Sequence, residues 1–138
     1  MAYISDAAAN AEAGAFAPLL NAGFLSIYAG TRPSSANNPL GSGNILLATF
    51  QFSTVAFGAP VGGVLTANAI TAVGAIVGTG IATFARCTKQ DAVSVVVDYS
   101  VGATGLSTAE ILFQTTSFIA GAMTSIPSLI HNVVEIGP

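Results

Sequence analysis

Residues 33 to 85 contain no charged side chain. In an ordinary soluble domain about one residue in four is charged, so a run this long would hold about a dozen charges. Two kinds of chain tolerate such a run. One lies in lipid, and the other hides much of its surface against protein. The run is broken by Pro33, Pro39 and Pro60, by Asn37, Asn38, Asn44 and Asn68, and by many Gly, Ser and Thr. No window supplies the roughly 20 mainly aliphatic residues of a spanning helix. Apolar residues alternate instead with small polar ones, the pattern of half-buried strands. A membrane β-barrel would show aromatic girdles and charged loops, and the chain has no Trp. The opening MAYISDAAANAEAG carries Asp6 and Glu12 and no cation, which is unlike a secretory signal. These features predict a soluble, cytoplasmically made, assembly-forming protein with no membrane partner.

At 138 residues the chain is expected to form one domain. Apolar residues make up 52% and charged residues 7%, with a mean hydropathy of +0.73. A net charge of -3 with three cations argues against a nucleic-acid partner, which requires a concentrated basic surface. The single Cys87 excludes an internal disulfide and, placed mid-strand, reads as a small buried hydrophobe.

The best strand pair lies between Gly78 and Gly102. Ile81–Cys87 and Val93–Val101 are rich in β-branched and aromatic residues, and Thr88-Lys89-Gln90-Asp91 between them reads as a turn. Alternation places Phe84 and Arg86 on one face, with Thr83, Ala85 and Cys87 on the other. Arg86 and Lys89 are two of the three cations. They suit a hairpin tip that is solvated, as charged turn residues usually are, or one shown to an acidic partner.

From Ser5 to Leu20 the Ala-rich sequence predicts a helix capped by Ser5 or Asp6 and kinked or ended at Pro18. Phe24–Tyr28 and Ile45–Ser53 read as strands, joined by the Gly/Pro/Ser/Asn-rich loop Ala29–Asn44, whose only charge is Arg32. Ala56–Gly63 reads as a corner and Val64–Thr71 as one strand. Ala109–Phe118 reads as a strand, although Ser107 with Glu110 matches a helical capping box. Met123–Ile136 reads as a last strand interrupted at Pro127. Seven to eight short strands with frequent turns predict an all-β domain, a jelly roll or β-sandwich over residues 21–138, preceded by a helical arm over residues 1–20.

Catalysis requires positioned titratable groups, and the chain offers one His, one Cys and six carboxylates scattered in sequence. Gly41-Ser42-Gly43 and Gly78-Thr79-Gly80 lack the third glycine of a dinucleotide loop and the Gly-Lys of a P-loop. The expectation is no enzyme, no cofactor and no metal.

NAGFLSIYAG, Arg32-Pro33, ILLATFQFS, AFGAP, GGVLTANAIT, GTGIATFAR and DYSVG occur in an order that resembles small tailed-phage virion structural proteins of the capsid decoration (cement) type. The likeness runs from Asn21 to about Gly102; the region with Pro127 and His131 departs from it. It implies a non-enzymatic protein on the virion capsid surface, made in the host cytoplasm, with the major capsid protein as partner. A tail- or fibre-associated receptor-binding module is the alternative.

So little charge on a monomer would leave large apolar patches exposed, which predicts a homo-oligomer. A trimer suits the local three-fold positions of an icosahedral shell, with a dimer as the alternative. The expected interface residues are Phe16, Leu19 and Leu20 on the arm, with Arg32, Arg86 and Lys89.

Overall fold

The computed structural model describes residues 3–105, 108–124, 126 and 128–132. Helix α1, Asp6–Phe16, starts where the Ser5 hydroxyl accepts a hydrogen bond from the Ala8 amide at 3.2 Å. That N-cap satisfies one of the otherwise orphaned amides of the first turn. The helix then tightens into a 3₁₀ turn, Ala17–Leu20, with Pro18 in its first turn, where a missing N–H costs nothing. Ala9, Ala13 and Leu20 are fully buried, and the Asn10 carboxamide oxygen accepts from the Gly63 amide at 2.9 Å.

Nine strands follow: β1 Phe24–Ala29, β2 Ile45–Phe52, β3 Val64–Thr66, β4 Ile70–Ala72, β5 Gly80–Thr88, β6 Val95–Ala103, β7 Ile111–Phe113, β8 Ser117–Phe118 and β9 Ser128–Asn132. They form one mixed sheet, ordered β3-β9-β7-β6-β5-β1-β2-β4 with β8 on the start of β5, curled into a half-barrel. The protein is thus mostly β with an N-terminal helix, as the alternation predicts. Among the described residues the strands number nine rather than seven or eight, because short strands of two and three residues carry no readable period.

Curling follows from the side-chain pattern. Leu25 and Ile27 on β1, Ala48 and Phe50 on β2, Ala85 and Cys87 on β5, and Tyr99 on β6 are paired neighbours on one face, and all are buried. Phe50 reaches Phe113 on β7, four strands away, at 6.1 Å between ring centroids. Bulges at Ile27/Tyr28 on β1 and at Cys87/Thr88 on β5 add local bend.

Val64–Thr71 is not one strand. Its halves, β3 and β4, lie at opposite ends of the sheet order. The three residues Ala67 to Ala69 join them, so the two sheet ends come within about 14 Å, the reach of four extended steps. This seam is laced by the Ala67 amide on the Leu129 carbonyl at 3.0 Å and the Asn68 amide on Ala56 at 2.9 Å. Within the corner, Gly62 and Gly63 both take positive φ (58° and 77°) in a two-residue turn closed between Val61 and Val64, a backbone only glycine adopts freely.

Between residues 108 and 123 the described chain forms β7 and β8, not a helix; Ser107, of the helical alternative, lies outside the described residues. The last described strand begins at Ser128; Pro127 and residues 133–136 also lie outside them. No helix among the described residues is long and apolar enough to cross a membrane.

Candidate functional site

The outer face of the central strands is a small lattice set by register. One rung reads Thr49, Ser26, Arg86, Asp98 across β2, β1, β5 and β6; a second reads Gln51, Phe24, Thr88, Val95; a third carries Tyr28, Phe84 and Ser100. At its centre Arg86 donates from Nε and Nη2 to the two carboxylate oxygens of Asp98, both at 2.8 Å. Its Nη1 donates to the Asn38 carbonyl at 2.8 Å. The two side chains are only 8% and 6% exposed. A fork-on-carboxylate pair of this kind is strong and directional, and the hydrogen bond to Asp98 holds the guanidinium pKa above its ordinary value against the opposing effect of burial.

Arg86 is therefore not a tip cation. The loop between β1 and β2 folds back over the outer face, and Arg86 pins it at Asn38. Asn44 secures the loop base: its Oδ1 accepts from the Gly41 amide at 2.8 Å, and its Nδ2 donates to the carbonyls of Thr31 at 2.9 Å and Ala29 at 3.3 Å. Gly30, at φ 92°, sits so close to the Gly43 carbonyl that a Cβ would fall 2.7 Å from it.

Lys89, in contrast, is exposed in the β5–β6 turn. That turn is organised by Asp91, whose carboxylate accepts from the amides of Val93 and Ser94 at 2.8 Å and from the Ser94 hydroxyl. These bonds hold the Asp91 pKa at about 2. Ala92 takes a positive φ of 61° there. Arg32 is exposed on the loop and borders a groove of about 430 Å³ with Pro33, Ser34, Ala36 and Val97. Arg32 and Arg86 thus serve the same loop, while Lys89 stands apart.

The arm residues are engaged within the chain. Leu20 is wholly buried, whereas Leu19 remains 41% exposed. Phe16 stacks on His131 of β9, with centroids 4.0 Å apart and planes 4° from parallel. His131 Nδ1 meets the Tyr99 hydroxyl at 3.0 Å. Burial pushes the His131 pKa down, partly offset by Glu110, and pushes that of Tyr99 up. Glu110 accepts from the amide and the hydroxyl of Ser100. Burial also raises the Cys87 thiol well above its ordinary value, leaving it un-ionised and unreactive at neutral pH. Among the described residues, no group of three or more His, Cys, Asp or Glu is placed to hold a metal ion.

Asp98, Asn38 and the Tyr99–His131 contact escape a reading of spacing alone. One signal for Asp98 exists: Arg86 and Asp98 stand equally far from Ala92, so a hairpin centred there pairs them directly. The Asn38 and His131 contacts carry no such signal, because neither partner is close in sequence.

A second groove, of about 520 Å³, opens on the same outer face beside the clamp. It is lined by Phe24, Ser26, Tyr28 and Leu40, by Thr49, Arg86 and Thr88, and by Val93 of the turn and Val95 at the start of β6. The chain matches no protein-family model, no curated protein and no solved structure.

Proposed function

We propose that the chain is a non-enzymatic structural protein of a tailed-phage virion that decorates and stabilises the capsid shell. One observation carries this reading: a group of exposed apolar residues gathers at an uncharged end of the half-barrel. Ile45, Leu46, Val77, Ile81, Ile119 and Met123 are all exposed. They come from segments tied together by the Val77 amide on Leu47 at 2.8 Å, the Ile76 amide on Ala122 at 2.9 Å, and the pairing of Gly80 and Ile81 with Phe118 and Ser117. No charged residue lies in the described segments 45–49, 73–81 or 113–124. A soluble surface of this kind marks an interaction site, and it suits a protein pressed against the seams of a shell.

The major capsid protein is the partner in this reading, and the location is the capsid surface after synthesis in the host cytoplasm. A homotrimer suits local three-fold positions, with a dimer as the alternative. The finer description of the fold belongs here too: β2 facing β7 across the core supports a sandwich or jelly-roll layout of the curled sheet. In this reading nucleic acid is not a partner; the engagement of Arg86, one of three cations, by Asp98 supports it.

Co-sedimentation with expanded shells built from the major capsid protein of the same genome tests the reading. The wild type is expected to bind at near-stoichiometric copy number, and Ile81→Lys or Met123→Lys to abolish binding while thermal stability stays unchanged. Failure of the wild type to bind shells, together with its absence from purified virions, overturns it. A tail- or fibre-associated receptor-binding role is the second reading, favoured by the aromatic-walled groove on the outer face.

A further inference from the structure

The two ends of the sheet are finished differently. At β3 the outer main chain is covered: Val61 and Val64 exchange amide-to-carbonyl bonds at 3.1 and 3.0 Å, and the Gly58 amide donates to the Thr66 carbonyl at 3.0 Å. At β4 it is open. The Ser53 hydroxyl on the Ala69 carbonyl at 2.6 Å and the Val73 amide on the Thr49 carbonyl at 2.9 Å fix which residues turn their main chain toward β2. With Thr71 opposite Gln51, period two turns the N–H and C=O of Ile70 and Ala72 the other way. Those groups meet no hydrogen-bond partner among the described residues. Natural edges are blunted by Lys, Pro, a bulge or a covering loop. Residues 69–77 hold no charge and no Pro, and β4 pairs with β2 without a bulge.

The slot along β4 has defined ends. At one, the Asn68 amide donates to the Ala56 carbonyl at 2.9 Å, so residues 55–56 stand beside the strand. At the other, the chain swings off at Gly74, φ 79°, where an added Cβ would meet nothing within 4 Å. An added strand must therefore be short and must turn away where it reaches residues 55–56. β4 is itself such a strand.

We propose that the β4 edge pairs antiparallel with the β4 edge of a second copy of this chain, across a two-fold axis at Thr71. Ile70 of each copy then faces Ala72 of the other, and their outward N–H and C=O groups satisfy one another. Gly74 of each copy falls beside Asn68 of the other, so each chain turns away before it meets residues 55–56. Thr71 is exposed on the outer face and meets its own copy there, a favourable cross-strand pair. Three residues of pairing are little alone, and side chains extend the contact. Exposed Val73 arrives at the Asn68 end of the other copy, where Val55 is also exposed and its carbonyl accepts from Asn68 Nδ2 at 2.8 Å. No charge at this edge opposes a copy of itself. The contact closes at two copies, which favours the dimer over the trimer.

The test is sedimentation equilibrium of the full chain at micromolar concentration. The wild type is expected at twice the 13.7 kDa chain mass. Thr71→Lys and Thr71→Glu each place like charges face to face across the axis. Each is expected to sediment as a monomer, and their equimolar mixture to recover the dimer. Ala72→Pro removes an outward N–H that no bond within the chain uses, a position where an edge strand accepts Pro. It is expected to give a monomer with the circular dichroism of the wild type; should it unfold, the Thr71 mixture decides alone. A monomeric wild type, an association unmoved by Thr71→Lys, or a mixture that stays monomeric each overturns the proposal. A wild-type monomer whose binding to capsid shells is lost in Thr71→Lys assigns the edge to a capsid strand and overturns it too. The shell reading fails separately: a dimer that binds no shell upholds this contact and overturns that reading.

Discussion

On its inner face β5 presents Ala85 and Cys87 to Leu25, Ile27, Tyr99 and the aromatic core of the half-barrel; on its outer face it presents Phe84, Arg86 and Thr88. Both faces are covered, by different means. The sheet covers the inner one by curling over itself. The outer one is covered by a loop with no regular structure, tied down at Arg86 and at Asn44. Apolar packing on the inner face tolerates graded change, because a changed side chain leaves its neighbours able to relax. The clamp does not: removing one partner leaves an uncompensated buried charge.

This contrast is most exposed by Arg86→Glu, which sets two carboxylates against each other beneath the loop. The expected loss is about 5 kcal/mol, at the upper end for a broken buried pair, measured by urea unfolding. The same change at an exposed hairpin cation would be nearly silent, so a loss below about 1 kcal/mol breaks the comparison. Asn44→Ala, which frees the loop base but leaves the ion pair, is expected to cost about 1–3 kcal/mol and to raise amide exchange across the loop while leaving β2 protected.

On the inner side, His131 sharpens the comparison through pH. Its pKa is lowered in the folded state by burial, so the unfolded chain takes up the proton first. Its contribution is full above the unfolded value of about 6.5 and is lost as pH falls through the lower folded value. The melting temperature is therefore expected to drop on acidification from pH 7.5 to 5, and His131→Phe to flatten that stretch of the profile. The smallest effect belongs to Lys89→Glu, expected within about 0.5 kcal/mol of wild type by the same unfolding assay.

The contrast also marks what could be read without coordinates. The inner face was legible because alternation is local: Leu25 and Ile27 against Phe24, Ser26 and Tyr28 falls out of period two. The Ser5 cap and the β5–β6 pairing are local in the same way. The outer face was not legible. Arg86 reads as a solvated tip because its cover comes from Asn38, 48 residues away, in a loop with almost no apolar residue to announce burial. Phe16 and Leu20 read as anchors for a neighbour because the Ala-rich arm offers little of its own; the ring partners of Phe16, Phe57 and His131, arrive from the middle and the far end of the chain. The groove beside Arg86 was invisible for the same reason, since its walls come from β1, β5, the loop and a turn.

β9 lies between β3 and β7 in the sheet, pairing Val64 with Asn132 and Ile111 with Leu129. It has a consequence in time as well as in space. During synthesis β3 emerges early but has no partner until β9 leaves the ribosome, about half a chain length later. Until then β3 and β7 remain open, and the seam at Ala67 lacks its Leu129 acceptor. Contacts of such separation close slowly, so the nascent chain carries unpaired strand edges through much of its production. Crowding of nascent chains during that interval is when this protein is most exposed to mispairing with its own copies.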